Sequence, residues 1–264
     1  MSGTMLAAMA LDPASVLTKV MRVLHAFGAD DHGLGFAELQ RRTGLPKATV
    51  HRVANDLVEA GLLDRVDGAF HLGSHLFELG MRASVERTLL EVATPFLEDL
   101  YERTHEVVHL ALREGSEVVY VAKVAGHRAI RTPSRIGGRM PVNATALGKA
   151  LLAHAGEEER IAVLRGPLER RTARTITAPG RLHQQLDKVV ETGVAYEFEE
   201  GAPGLVCVAA PVLDPQDRPV AAISISGATP RFRPTDHAAS VHAAAAGIGA
   251  TLARRAALAE EGLT

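Results

Sequence analysis

The sequence predicts an α+β protein in two parts: a small helical unit closed by a β-hairpin, and a larger unit built on antiparallel sheet. Three observations predict it. A turn at Gly44 to Pro46 separates two short helical patterns. The pair Asp67-Gly68 joins two strand-like runs. Two further strand-like runs, "EVVHLALRE" and "SEVVYVAKV", follow one another across a short glycine-containing turn. At 264 residues the chain has the length for two domains, each with its own core.

The first helix carries Val16, Val20, Val23, Leu24 and Phe27 on one face and ends at Gly28. A second short helix runs from about Phe36 to Arg42. Its partner begins near Lys47 after only "TGLP", so the two cross steeply, as in a helix-turn-helix. In this third helix Val50, Val53, Ala54, Leu57 and Val58 recur at helical spacing and face a core until Gly61. The opposite face holds Lys47, Thr49, His51, Arg52 and Asn55. Arg41, Arg42, Lys47 and Arg52 place four positive charges between residues 41 and 52, a window without an acidic residue. "LLDRVDGAFHLG" then reads as two strands joined by a type I′ turn at Asp67-Gly68. Helices closed by such a hairpin make a winged helix-turn-helix, with the Lys47 helix suited to the major groove of double-stranded DNA. Lys47 and Arg52 are expected to contact phosphate or guanine, Thr49 and His51 base edges or backbone, and Arg65 on the wing backbone or minor groove. Arg41 and Arg42 join them as DNA-binding residues. Seven basic and seven acidic residues balance between Ser15 and His75, so one copy binds weakly and a dimer is expected.

From Ser74 to about His105, Leu76, Leu79, Leu89, Val92, Phe96, Leu97 and Leu100 indicate linker helices, and Pro95 predicts a break or kink near Thr94. Beyond the first two strands of the larger unit, strands are expected at 194–198, 205–212 and 220–226, and helices at 145–154, 157–164, 180–191 and 235–255. The expected divisions are 15–74, 75–104 and 105–260. In "NATALGKALLA", Asn143 or Thr145 caps a helix whose first amides suit an anion. Strand alternation sends Cys207 and Ala209 to one face, and Ser224 and Ser226 to one face. The direction of Glu197 in "VAYEFEE" stays open between pocket and solvent.

The formal charge of −2 excludes a globally basic coat and leaves nucleic-acid binding to a local patch. A single cysteine, Cys207, excludes a disulfide framework and fits a reducing cytoplasm. Residues 1–14 lack the basic start of a secretory leader, and no stretch has the apolar length of a membrane span. A soluble cytoplasmic protein is expected, with no membrane partner. Neither a cofactor motif nor a metal motif stands out. His105 and His109 are four apart but straddle a helix end and a strand start, and "EEGAPG" lacks the lysine of a phosphate loop.

The order "GLPKATVHRVANDLVEAGLL", "FHLG", "NATALGKALLA", "CVAAPVLD", "AAISISG" resembles the IclR family of bacterial transcriptional regulators, from about Ser15 nearly to the end. The family's C-terminal signature falls on Gly193, Glu197, Glu200, Cys207-Val208-Ala209 and Asp214. Glu197 replaces the usual Asp or Ser, and Leu213 an aromatic or His. The resemblance implies a winged helix-turn-helix joined by a helical linker to a GAF-like effector-binding domain. It also implies a small metabolite that alters operator binding, and a homodimer or homotetramer. It places Thr145, Ala146, Leu147, Gly148, Glu197, Cys207, Ser224 and Ser226 around the effector. Glu197 would repel a plain anion unless it is protonated or offset by a helix N-terminus, so an effector with hydroxyl or amine donors beside any acid group is expected. The rival reading is a metabolic enzyme with a regulatory DNA-binding appendage, using Glu197, Glu200 and Cys207 chemically, with His183 as the nearest base by sequence. A non-catalytic, ligand-responsive regulator is the expected function.

Overall fold

The computed structural model describes residues 12, 14–28, 31–80, 82, 84–126, 130, 132–260 and 262. The expectation about a leader therefore falls mostly outside the described residues. The chain divides into two compact units, residues 1–84 and 85–264.

In the first unit, α1 (Val16–Leu24) is capped by Ser15, whose hydroxyl accepts from the Thr18 amide. Helix α2 (Phe36–Thr43) ends on Gly44 in the left-handed region at φ 63°, and α3 (Lys47–Glu59) follows after Pro46. Val23, Leu39, Val50, Val53, Ala54 and Leu57 form the shared core. Strands β1 (Leu63–Val66) and β2 (Ala69–Leu72) pair antiparallel across Asp67 and Gly68, both at positive φ as a type I′ turn requires. Leu34 adds a third rung, exchanging 2.8 Å backbone bonds with Phe70. A short helix, α4 (Ser74–Gly80), completes the described part of this unit.

The second unit is a six-stranded antiparallel sheet between two helical layers. Its strands are β3 (Val107–Glu114), β4 (Glu117–Val124), β5 (Arg139–Pro141), β6 (Ala195–Phe198), β7 (Leu205–Leu213) and β8 (Pro219–Ala228). Their order is β5-β4-β3-β8-β7-β6. The short edge strand β5 was not expected, since three residues ending in proline carry no alternation to read. On one face, α5 (Ser84–Thr104) and α9 (Ala238–Glu260) bury Val92, Leu97, Leu100, Val241 and Ile248 against Val108, Leu110, Val208, Ile223 and Ile225. The other face is covered by α6 (Ala146–Ala153) and α8 (Pro179–Thr192), with α7 (Glu157–Arg165) packed on α8.

One expectation is corrected in part here: no break occurs at Pro95. Helix α5 runs unbroken through Pro95. Proline removes one rung of the ladder, but Val92, Ala93, Leu97 and Leu100 are buried on both sides of it, and that packing holds the helix together. The helix stops at Thr104, where His105 takes a positive φ and its amide donates to Tyr101 O at 2.6 Å.

Candidate functional site

Two sets of residues, one in each unit, were expected to bind. In the first unit Lys47, His51 and Arg52 are exposed on α3 and Thr49 is half-buried. The buried Val50, Val53 and Leu57 hold the helix from the opposite side. No ion pair engages Lys47 or Arg52 among the described residues. His51 lies on Phe36, with ring centroids 6.1 Å apart, and shares a 3.2 Å hydrogen bond with Asn55. Arg65 on the wing sits over the Phe70 ring at 5.4 Å, which holds its guanidinium beside the hairpin.

Arg41 and Arg42 behave differently. Arg41 donates twice to Glu38, at 2.8 and 2.6 Å. Arg42 donates to Glu38 at 2.7 Å, to Asp31 and to the Ala26 carbonyl. Hydrogen bonds from Arg41 and Arg42 pull the Glu38 pKa down to about 2. The acid-free window of residues 41–52 therefore does not describe the charge in space: the two acids lie just before it in sequence, and the turn of α2 and the α1–α2 loop bring them back. Arg42 ties that loop to α2.

In the second unit one pocket, enclosing about 360 Å³ including its open mouth, is lined by Thr145, Ala146, Leu147, Glu197, Cys207, Ser224 and Ser226. Of the residues expected there, only Gly148 does not line it. Register explains the convergence. Glu197 pairs with Cys207, Cys207 with Ser226, Ala209 with Ser224, and Ser224 with His109, so all share one face of the sheet. This settles the direction of Glu197, which is 1 % exposed. Its Oε1 accepts from the amides of Glu200 at 2.5 Å and Gly201 at 2.9 Å, while Oε2 is buried without a hydrogen-bond partner. Burial outweighs those amides and the Cys207 thiol, and pushes the carboxyl up to about 7.

The roof is the start of α6. Thr145 is the cap, accepting from the Gly148 amide at 3.0 Å, whereas Asn143 donates to the carbonyls of Glu169 and Ile176. The amides of Ala146 and Leu147 belong to the unpaired first turn, the end of a helix that favours negative charge. Gly148 is required by space: a Cβ there would lie 2.3 Å from Val142 Cα and 2.7 Å from Thr145 Oγ1.

Sequence reasoning missed three groups. His109 lines the pocket, where strand alternation with Val107 and Ala111 was the available signal. Tyr120 meets it edge-on at 5.1 Å. Lys149, 1 % exposed, forms a buried ion pair with Glu200 at 2.6 and 2.7 Å and also donates to Tyr196 O at 3.1 Å. Glu200 is thereby engaged, and burial holds the Cys207 thiol protonated, its pKa raised well above the usual thiol value. His183 sits on α8 beside Asp187 and in contact with Arg160 of α7, and does not line the pocket. No cluster of three or more metal-ligating side chains occurs among the described residues, and none of their helices is long and apolar enough to cross a membrane.

Comparison with known proteins gives this geometry its context. Residues 16–67 match the IclR helix-turn-helix domain, and residues 81–250 the C-terminal domain of the bacterial transcriptional regulator IclR. The chain is 35% identical over 247 residues to the HTH-type transcriptional regulator KdgR of Escherichia coli, covering 91% of this chain and 94% of that one. It is 32% identical to the E. coli transcriptional repressor IclR, over 82% and 81% of the two chains. Among solved structures, an IclR homolog from Microbacterium hydrocarbonoxydans complexed with 4-hydroxybenzoate superposes with a TM-score of 0.84 at 33% identity, covering 91% of this chain and all of that one. A Thermotoga maritima IclR gives 0.73 at 30% identity, over 90% and 98%. The chain belongs to the IclR family of bacterial transcriptional regulators, proteins that bind DNA and respond to a small ligand.

Proposed function

We propose that α3 reads operator DNA through Lys47, Thr49, His51 and Arg52, with Arg65 of the wing on the backbone, and that the second unit gates this through an acid-bearing effector. The observation that carries the DNA half is the free, exposed pair Lys47 and Arg52 on a helix whose other face is buried. Arg41 and Arg42 act by shaping the unit and contribute charge at longer range. Residues 15–74 serve as the DNA-binding domain, 75–104 as the linker and 105–260 as the effector-binding and oligomerisation domain. The working form is a homodimer. Exposed Val16, Leu17, Phe77 and Leu79 in the first unit supply apolar surface for a second copy. A cytoplasmic location and the absence of catalysis complete the reading, the latter supported by a Cys207 thiol that burial keeps protonated.

The effector is a small acid that also carries a hydroxyl or amine donor. Its carboxylate sits at the amides of Ala146 and Leu147, and its donor meets Glu197. The 4-hydroxybenzoate held by the Microbacterium homolog has this chemistry. Genomic fragments bound by the full-length protein, mapped with and without 4-hydroxybenzoate and related hydroxy acids, test the whole reading. Occupancy of discrete sites that changes with one such acid is the expected result. Binding that ignores both sequence and salt sinks the DNA half. Tight calorimetric binding of a simple dicarboxylate, unaffected by Glu197→Gln, sinks the effector half.

A further inference from the structure

His109 is 2 % exposed, lines the pocket, and leaves its Nδ1 buried without a hydrogen-bond partner. Its other nitrogen is engaged: Nε2 lies 2.6 Å from Ser134 Oγ. From there a chain of short contacts leads to a fixed donor. Ser134 Oγ is 2.7 Å from Thr132 Oγ1, and Lys123 Nζ donates to Thr132 Oγ1 at 2.8 Å and to the Ser134 carbonyl at 2.9 Å. Lys123 is the register partner of His109 on β4, so the relay is anchored on the same sheet.

An ammonium group only donates, and one arrangement of the hydroxyl protons behind it uses every one of them within the relay. Thr132 Oγ1 accepts from Lys123 and gives its own proton to Ser134 Oγ. Ser134 then gives its proton to His109 Nε2. The reverse arrangement would leave the Thr132 hydroxyl proton with no acceptor in the relay. In the first arrangement Nε2 is the bare nitrogen of a neutral ring, and the ring's proton is assigned to Nδ1. The ring stays neutral because it is desolvated and faces Lys123, which together pull its pKa down to about 3. A buried N–H without a partner costs free energy until something accepts from it.

We propose that His109 is a specificity-determining residue of the effector pocket: held as the Nδ1–H tautomer by Lys123, Thr132 and Ser134, it donates one hydrogen bond to an oxygen of the bound acid. The proposal rests on the acid-binding reading of the pocket given above. Helix α6 packs against β3, so the ring and the amides of Ala146 and Leu147 serve one oxygen-bearing group from two sides. Being neutral, His109 selects an acceptor without adding a charge beside Glu197.

Imidazole nitrogen NMR on the full-length protein, with benzoate as the probe, tests it. Ligand-free protein at neutral pH is expected to show His109 protonated at Nδ1 and bare at Nε2, and Ser134→Ala to mix the tautomers. Observation of the Nε2–H form, or of an imidazolium, overturns the proposal. In calorimetry His109→Phe is expected to weaken benzoate about tenfold or more, the loss of roughly 1.4 kcal/mol. His109→Asn, which keeps an N–H near the Nδ1 position, should stay within about threefold. Equal binding by wild type and His109→Phe overturns the role of His109 while leaving the acid site standing. A wild type that binds neither benzoate nor 4-hydroxybenzoate, with the Ala146 and Leu147 amides unmoved by either, overturns the acid reading and the proposal with it. The His109→Asn variant, checked for folding by circular dichroism, separates loss of a donor from loss of structure.

Discussion

A carboxyl group as buried as Glu197 keeps its charge only where donors surround it, and here Oε1 has two amides and Oε2 has none. With a folded-state pKa of about 7 against an ordinary 4.5, the folded protein holds a proton on Glu197 that the unfolded chain has released across that interval. Folding stability attributable to this residue is therefore undiminished below pH 4.5 and falls as pH rises to 7. The displacement corresponds to about 3 kcal/mol as an upper bound. Glu197→Gln keeps an oxygen for the two amides and cannot ionise. It is expected to match wild type in urea unfolding at pH 5 and to exceed it by about 1–3 kcal/mol at pH 8; the same difference at both values would show that Glu197 stays ionised throughout. The neighbouring Lys149–Glu200 pair obeys a different rule. Both side chains are almost wholly buried, so removing one abandons the other's charge. Lys149→Met should cost about 3–5 kcal/mol, and Lys149→Met combined with Glu200→Leu distinctly less than the single change. Denaturant titration of the three proteins checks this; an additive double mutant would count against the buried pair.

At the scale of elements, the start of α6 joins a capping threonine to a glycine with no room for a methyl group. Gly→Ala inside a helix ordinarily stabilises by about 1 kcal/mol, because alanine loses less backbone freedom. Gly148→Ala is expected to do the opposite, costing about 1–3 kcal/mol, since its Cβ would lie 2.3 Å from Val142 Cα and 2.4 Å from Val142 O. Thermal unfolding decides the sign. Most elements were legible because the patterns that define them are local: the Asp67-Gly68 turn, the apolar face of α3, and the alternation that brings Cys207, Ser224 and Ser226 onto one side. What was not legible depends on partners distant in sequence. Pro95 reads as a helix breaker until the packing of α5 on the sheet is known. Lys149 reads as a solvated lysine in "LGKALL" until Glu200, fifty-one residues on, is brought to its ammonium group. Glu197 could not be oriented from "VAYEFEE", because only its pairing with Cys207 fixes which face it takes.

For the whole molecule, charge in space differs from charge along the chain, and that difference separates two kinds of arginine. Lys47, Arg52 and Arg65 are the exposed cations of α3 and the wing without a carboxylate partner among the described residues, while Arg41 and Arg42 are held by Glu38 and Asp31. With a net charge of −2 the protein has no general attraction for DNA, so on the proposed reading affinity comes from these few groups, presented twice in the proposed dimer. If two copies engage one operator with about three phosphate contacts each, log K should fall against log salt with a slope near −5. Arg52→Ala should leave the unfolding temperature within a degree or two of wild type and weaken operator binding. A slope about two smaller assigns Arg52 to phosphate in both half-sites, whereas an unchanged slope with relaxed sequence preference assigns it to a base. Arg42→Ala should act through the fold, because it releases Asp31, Glu38 and the Ala26 carbonyl together, and the first unit should unfold at lower temperature. Calorimetric melting and salt-dependent fluorescence anisotropy on the same two variants separate these roles. Should Arg42→Ala melt like wild type yet reduce the salt slope as Arg52→Ala does, the division drawn here between reading and shaping residues would be wrong.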